Sequence, residues 1–189
     1  MKNWRLVTYN IHKGVGPFSN TSMLDRVKLG LKESKADFLL LQEVVGERHT
    51  ERAQVERQLE TLVDSRWPHH AYGKNAVFPK RNHGNAILSA VPIKRFHNHD
   101  LTVYPVEKRS ILHAELEWAK PGLHVCSVHL DIFEVTRKYQ LESLVAYLKK
   151  HVPAKAPLII GGDFNDWARK VGTVLEKELG DTEYSHPRF

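Results

Sequence analysis

In four places the sequence sets polar, reactive residue types directly after an apolar run. Asn10 follows Arg5-Leu6-Val7-Thr8-Tyr9, and Glu43 follows Phe38-Leu39-Leu40-Leu41-Gln42. His129 and Asp131 follow Val125-Cys126-Ser127-Val128, and Asp163 and Asn165 follow Leu158-Ile159-Ile160-Gly161-Gly162. Short apolar runs of this kind read as buried strands, and an α/β sheet presents its ligand-binding groups just beyond the carboxyl ends of its strands. Asp163 and Asn165 lie two apart, so a strand that continued would aim both the same way. Singly, each place has a local explanation, because Gly, Asn and Asp gather in turns through their own hydrogen bonds. The joint pattern is what points to a site.

Glu43 and Asn10 offer oxygen donors, which suit a hard cation that keeps several waters, Mg²⁺ or Mn²⁺. The 12 histidines show no close-spaced ligand pattern and there is 1 cysteine, Cys126, which argues against a structural zinc site. A hard cation beside Asp, Asn and His suits phosphate-ester hydrolysis. The cation would stabilise charge on the phosphoryl oxygens, an acid would orient or deprotonate water, and amides or histidine would hold the phosphate.

The elements that must position these residues follow from periodicity. Arg5–Tyr9 and Phe38–Leu41 read as strands, the second ending at Gln42-Glu43. Between them, behind a loop marked by Gly14, Gly16 and Pro17 and possible caps at Asn20 to Ser22, Leu24, Val27 and Leu31 recur at helical spacing. A second amphipathic helix is expected over Glu51–Val63, with Val55, Leu59 and Leu62 on one side. From Trp67 the segments shorten and alternate: Tyr72–Phe78, Asn85–Ser89, Ile93–Val103, Ser110–Glu117 and Leu123–Leu130 are expected as strands, largely antiparallel. Leu141, Leu144, Val145 and Leu148 share a helical face within Glu134–His151, ended by Pro153, and a last helix follows at Val171–Leu179. The whole is expected to be one α/β domain of two packed sheets flanked by helices.

At 189 residues, 41% hydrophobic and 26% charged, the composition is that of an ordinary globular domain. No run approaches the roughly 18 apolar residues of a membrane helix, so stable membrane insertion is not expected. Met1-Lys2-Asn3-Trp4 passes straight into a strand pattern without a signal-peptide core, making a cytoplasmic location the expectation. The net charge of +6 favours anionic partners, although the lysines are dispersed and cluster only at places such as Lys80-Arg81 and Lys149-Lys150.

Six ordered motifs carry a family resemblance: Thr8-Tyr9-Asn10-Ile11-His12, Leu41-Gln42-Glu43, His83-Gly84-Asn85-Ala86-Ile87-Leu88-Ser89, Lys108-Arg109-Ser110, Val128-His129-Leu130 and Gly162-Asp163-Phe164-Asn165. Together they resemble the endonuclease/exonuclease/phosphatase superfamily, the deoxyribonuclease I-like fold. The resemblance implies a two-sheet α/β sandwich with its active site at one edge, and metal-dependent hydrolysis of a phosphodiester or phosphomonoester with Mg²⁺, or Mn²⁺. It implies Glu43 as the principal metal ligand, with Asn10 beside it or positioning the phosphate. Asp163 would orient the attacking water, Asn165 would contact the phosphate or assist at the metal, and His129 would flank the scissile phosphate. Arg109 would grip or order the site, or else form a surface salt bridge. His83 and Asn85 would bind substrate or support the backbone. His12 stands where some relatives have an acid, and Asp166 caps the next helix.

Superfamily members end on a Ser-Asp-His-x-Pro motif after further strands, whereas this sequence ends Glu183-Tyr184-Ser185-His186-Pro187-Arg188-Phe189. The expectation is therefore a C-terminally incomplete domain over residues 1–189, missing its last strands and leaving one sheet with an uncovered edge. The substrate expected first is nucleic acid, DNA or RNA, with phospholipid or sugar phosphate second. The alternative is a catalytically silent phosphate- or nucleic-acid-binding module that has lost the terminal acid-histidine pair.

Overall fold

The computed structural model describes residues 4–14, 22–49, 55–56, 58–78, 81–104, 107–118 and 120–180. Residues 20 and 21 of the expected helix cap, 51–54 of the expected second helix, and Ser185-His186-Pro187 lie outside these.

Two sheets face each other, each covered outside by helices. The first contains β1 (Leu6–Asn10), β2 (Phe38–His49), β4 (His69–Phe78) and β5 (Arg81–Ser89) in the order β1-β2-β5-β4, with the short β3 (Val55–Glu56) added against β2. The second runs β6-β7-β8-β9, formed by Ile93–Asp100, Ser110–Leu116, Leu123–His129 and Leu158–Asp163. Helices α1 (Ser22–Glu33) and α2 (Gln58–Leu62) belong to the first half of the chain, and α3 (Glu134–His151) and α4 (Val171–Leu179) to the second.

Side-chain alternation produces three apolar layers. Along β2, Leu39 and Leu41 pack with Leu24, Val27 and Leu31 of α1, while Phe38 and Leu40 turn the other way onto Leu112, Ala114 and Val125 of the second sheet. Both faces of this run are buried, which is why it is continuously apolar instead of alternating. In the second sheet Cys126 and Val128 face Leu141, Leu144, Val145 and Leu148 of α3, along the helical face expected from sequence. Burying each such side chain contributes about 1.5–3 kcal/mol.

The parallel pairs matter for function. β1 runs parallel to β2 and β8 parallel to β9, so Asn10 lies opposite Gln42 and His129 opposite Asp163. The paired glycines of β9 lie inside the strand, not past its end. A Cβ on Gly161 would come within 2.7 Å of Leu40 Cδ1 from the opposing sheet, and Gly162 has φ 147° with Val128 O only 2.0 Å from where its Cβ would be. They permit close approach of the two sheets and of β8.

Several boundaries differ from expectation. β2 does not end at Gln42-Glu43 but continues to His49 through a β-bulge. Leu41 pairs with Ala86 and Val44 with Gly84, so two residues face the single Asn85. Glu43 occupies the bulge at φ 56°. Of the expected helix over Glu51–Val63, the described residues are helical at Gln58–Leu62, while Val55 and Glu56 pair with β2 as a strand. β6 stops at Asp100, whose Oδ1 accepts the Thr102 N–H and turns the chain before Val103. Conversely, β4 and β5 begin earlier than expected, at His69 and Arg81. Among the described residues β9 pairs only with β8, leaving its other edge without a strand. No described helix is long and apolar enough to cross a membrane.

Candidate functional site

The carboxyl ends of β1, β8 and β9 meet the bulge of β2 at one edge of the sandwich. Asn10 connects all of it: its Nδ2 donates to Glu43 Oε1 and to Asp163 Oδ2, both at 3.1 Å, while its Oδ1 accepts the His12 N–H at 3.0 Å. One amide thus ties the two sheets together and holds two carboxylates within reach of each other. The orientation follows from the partners, since carboxylates can only accept and the His12 amide can only donate.

Glu43 reaches this point because of the bulge. Burial alone would raise its carboxyl pKa, but the Asn10 hydrogen bond and the charges of His129, Lys13 and His12 outweigh that and hold it below the ordinary value. Lys13 stands 3.7 Å from Glu43 Oε2 on a tight turn, His12–Gly14. That turn is fastened by Gln58 of α2, whose Nε2 donates to Lys13 O at 2.7 Å and whose Oε1 accepts the Val45 N–H at 2.9 Å.

On the second sheet, His129 is buried with its Nδ1 3.2 Å from Arg109 Nη1 and its Nε2 3.8 Å from Asp163 Oδ2. A guanidinium can only donate, so His129 Nδ1 accepts and the ring proton sits on Nε2, facing Asp163. Burial and the Arg109 charge lower the His129 pKa to about 4, against the opposing pull of Asp163 and Glu43. The residue is therefore a neutral N–H donor at physiological pH. Arg109 also pairs with Glu107, so it contacts both a surface acid and His129.

Asp163 Oδ1 accepts the Asn165 N–H at 3.1 Å, making the strand end an Asx turn as well as part of the site. Asn165 takes φ 48° and donates through Nδ2 to Leu130 O at 2.9 Å, locking the loop after β9 to the loop after β8. Asp166 Oδ2 accepts the Val171 N–H at the start of α4. Asp131 is buried, and its Oδ1 accepts the Phe133 N–H.

Asn85 lies fully buried opposite the bulge, with Nδ2 3.1 Å from Ser110 O and 3.4 Å from Ser127 O, so it supports the site from beneath. His83, half-buried beside Val45, contributes its charge to the His129 environment. Beneath them Gln42 donates to Ser127 Oγ at 3.1 Å and Leu40 O at 3.0 Å. Lys13, Gln42, Gln58 and Ser127 belong to the site without a role that any motif of the sequence assigns them. A buried polar residue inside an otherwise apolar strand, as at Gln42 and Ser127, was the available signal.

The donor set fits a hard divalent cation: two carboxylates are brought together on one amide, with Lys13 3.7 Å from Glu43 as a counter-charge. Among the described residues, no three His, Cys, Asp or Glu side chains are spaced to hold an ion by themselves. Two protein carboxylates with water and substrate oxygens completing the shell is how Mg²⁺ is commonly held.

Known proteins resemble this chain in sequence and in fold. The sequence is 35% identical over 185 residues to the uncharacterized protein YbhP of Escherichia coli K12, covering 94% of this chain and 73% of YbhP. In structure it is similar to an endonuclease/exonuclease/phosphatase from Beutenbergia cavernae, with TM-score 0.71 at 23% identity, over 90% of this chain and 49% of that one. It is similar also to a β-hairpin deletion mutant of Staphylococcus aureus beta toxin, with TM-score 0.72 at 16% identity, over 96% and 74% of the two chains. The chain therefore spans about half of the first structure and roughly three quarters of YbhP. The profile of the endonuclease/exonuclease/phosphatase family matches residues 7–183, and the chain belongs to that family.

Proposed function

We propose that this chain carries the site of a Mg²⁺-dependent phosphodiesterase. The observation that carries this reading is the single amide of Asn10 holding Glu43 and Asp163 together across the two sheets, with the neutral His129 facing the same point. Glu43 would hold the cation, with Asp163 beside it. A bound Mg²⁺ would supply charge stabilisation on the phosphoryl oxygens. His129 offers its Nε2–H to a phosphate oxygen, kept in that tautomer by Arg109. Asp163, oriented by Asn10 and by the Asn165 N–H, is placed to accept a proton from an attacking water. Lys13 adds positive charge beside Glu43 for an anionic substrate. The net charge of +6 favours a polyanion or an anionic surface.

Hydrolysis of bis(para-nitrophenyl) phosphate in Mg²⁺ and thermal melting with and without the metal test the reading. Mg²⁺ is expected to raise Tm and support turnover. Glu43→Gln should remove both effects, and Asp163→Asn should lower turnover by roughly a hundredfold or more. Turnover that persists in both variants, or a Tm blind to Mg²⁺, would overturn it. The competing reading, a silent phosphate-binding module, is favoured if Mg²⁺ raises Tm while no hydrolysis occurs.

A further inference from the structure

Beside the site, the ordinary sorting of residues is inverted. Ile132, Phe133, Val135, Tyr139 and Trp167 are exposed at 54%, 65%, 66%, 54% and 89%, while Arg137 and Gln140 of the same stretch are buried. The buried polar groups hold the loop that displays the apolar ones. Arg137 donates to Asp131 O at 3.0 Å and Ile132 O at 2.9 Å, and Gln140 accepts the Asp131 N–H at 2.8 Å. Trp167 comes from a second segment fastened to the first by the Asn165–Leu130 bond and the Lys170–Glu134 pair at 2.5 Å. A burying core would have taken Phe133 and Ile132 and left Arg137 to water. A held loop that shows large apolar groups marks a contact surface.

We propose that this rim is a docking surface for an anionic lipid bilayer. Exposed Lys138, Arg169 and Lys170 share the two segments with the acids Glu134 and Asp166, so cations outnumber acids there, as they do in the chain as a whole. Positive charge around an apolar cluster tipped by Trp and Phe fits the boundary between acidic headgroups and acyl chains. Ile132 and Val135 decide against a single-stranded nucleic acid, because aliphatic side chains offer bases no face on which to stack. The rim begins 3 residues after His129 and 4 after Asp163, so a docked surface would hold its phosphodiester headgroups beside the acids. That last step rests on the phosphodiesterase reading; the docking itself does not.

The test is co-sedimentation of the full chain with vesicles of phosphatidylcholine alone or mixed with phosphatidylglycerol, for wild type and for Phe133→Ser/Trp167→Ser. Hydrolysis of bis(para-nitrophenyl) phosphate and Tm are followed in parallel. Wild type is expected to bind the mixed vesicles, weakening with salt, and the double variant to bind at least about tenfold less at unchanged Tm and unchanged soluble hydrolysis. Binding that the double variant retains, or no binding at low ionic strength, overturns the proposal. So does a single-stranded oligonucleotide bound in preference to vesicles and lost in the variant, or a wild-type dimer that the variant converts to monomer. Vesicle binding without soluble hydrolysis upholds the docking surface and removes the phosphodiesterase reading; hydrolysis without vesicle binding does the reverse.

Discussion

His129 is the residue whose protonation the surroundings control most tightly. Burial and the Arg109 charge together lower its pKa to about 4, so it stays neutral across the range in which an isolated histidine titrates. Replacing Arg109 by Gln removes the largest of the lowering charges while leaving Asp163 and Glu43 to pull upward. The His129 pKa is then expected to rise toward 6.5, measurable from the pH dependence of its ring proton resonances. An unchanged titration would mean that burial alone sets it. The polar residues of the site were legible in sequence because each follows an apolar run, and Asn10, Glu43, His129 and Asp163 do converge. Their pairing was not legible: that Asn10 turns its amide N–H toward both acids depends on the His12 amide and on a strand 153 residues away.

At the scale of elements, α2 is 5 residues long and contributes mainly through Gln58. That side chain connects the Lys13 carbonyl to the Val45 N–H, fastening the His12–Gly14 turn to β2 beside Glu43. Gln58→Ala leaves two backbone groups without these bonds and should cost about 1–3 kcal/mol, seen as a lower denaturation midpoint. It should also weaken the effect of Mg²⁺ on Tm, a readout that simple destabilisation elsewhere would not move. Periodicity revealed α1, α3 and α4, where an apolar face recurs over several turns. It misled at Glu51–Val63, where strand pairing with β2 overrode the helical spacing of Val55 with Leu59 and Leu62. Periodicity also could not find the bulge, since Leu41-Gln42-Glu43-Val44 reads equally well as a strand that stops.

Across the whole molecule, the second sheet gathers histidines that no sequence spacing announces. His97 and His99 of β6, His113 of β7 and His151 of α3 surround Tyr147, which stacks on His99 and His151 at 4.6 and 4.5 Å, and His124 of β8 joins the cluster through His113. His113 lies 2.8 Å from His124 through their ring nitrogens and 3.1 Å from the Tyr147 hydroxyl. Burial, helped by the neighbouring histidines, lowers the His113 pKa from 6.5 to about 4, and burial also lowers those of His124 and His99. The unfolded chain then binds protons that the fold refuses. Stability is full above about pH 6.5 and is lost as the pH falls from 6.5 toward 4, with no further loss from His113 below that. Melting temperature measured over this window should fall on acidification, and His113→Gln should flatten the fall; a pH-independent melt would contradict the assignment. Cross-strand neighbours from four elements make this cluster, so only the fold could reveal it.

The extra residue in β2 is one the core does not count. Leu39 and Leu41 face α1 from odd positions, and after the irregularity Val44 faces the same layer from an even one. Deleting Glu43 would leave Gln42 alone opposite Asn85 and restore simple alternation with Val44 still on the α1 side, so the apolar pattern survives without the acid. Both the deletion and Glu43→Gln are therefore expected to melt cooperatively, and both to lose the effect of Mg²⁺ on Tm; a deletion that abolishes the cooperative melt would contradict this register. The acid that would hold the cation thus sits on a surplus position of the ladder, where a strand can gain or lose a reactive group while the layers on either side keep their places.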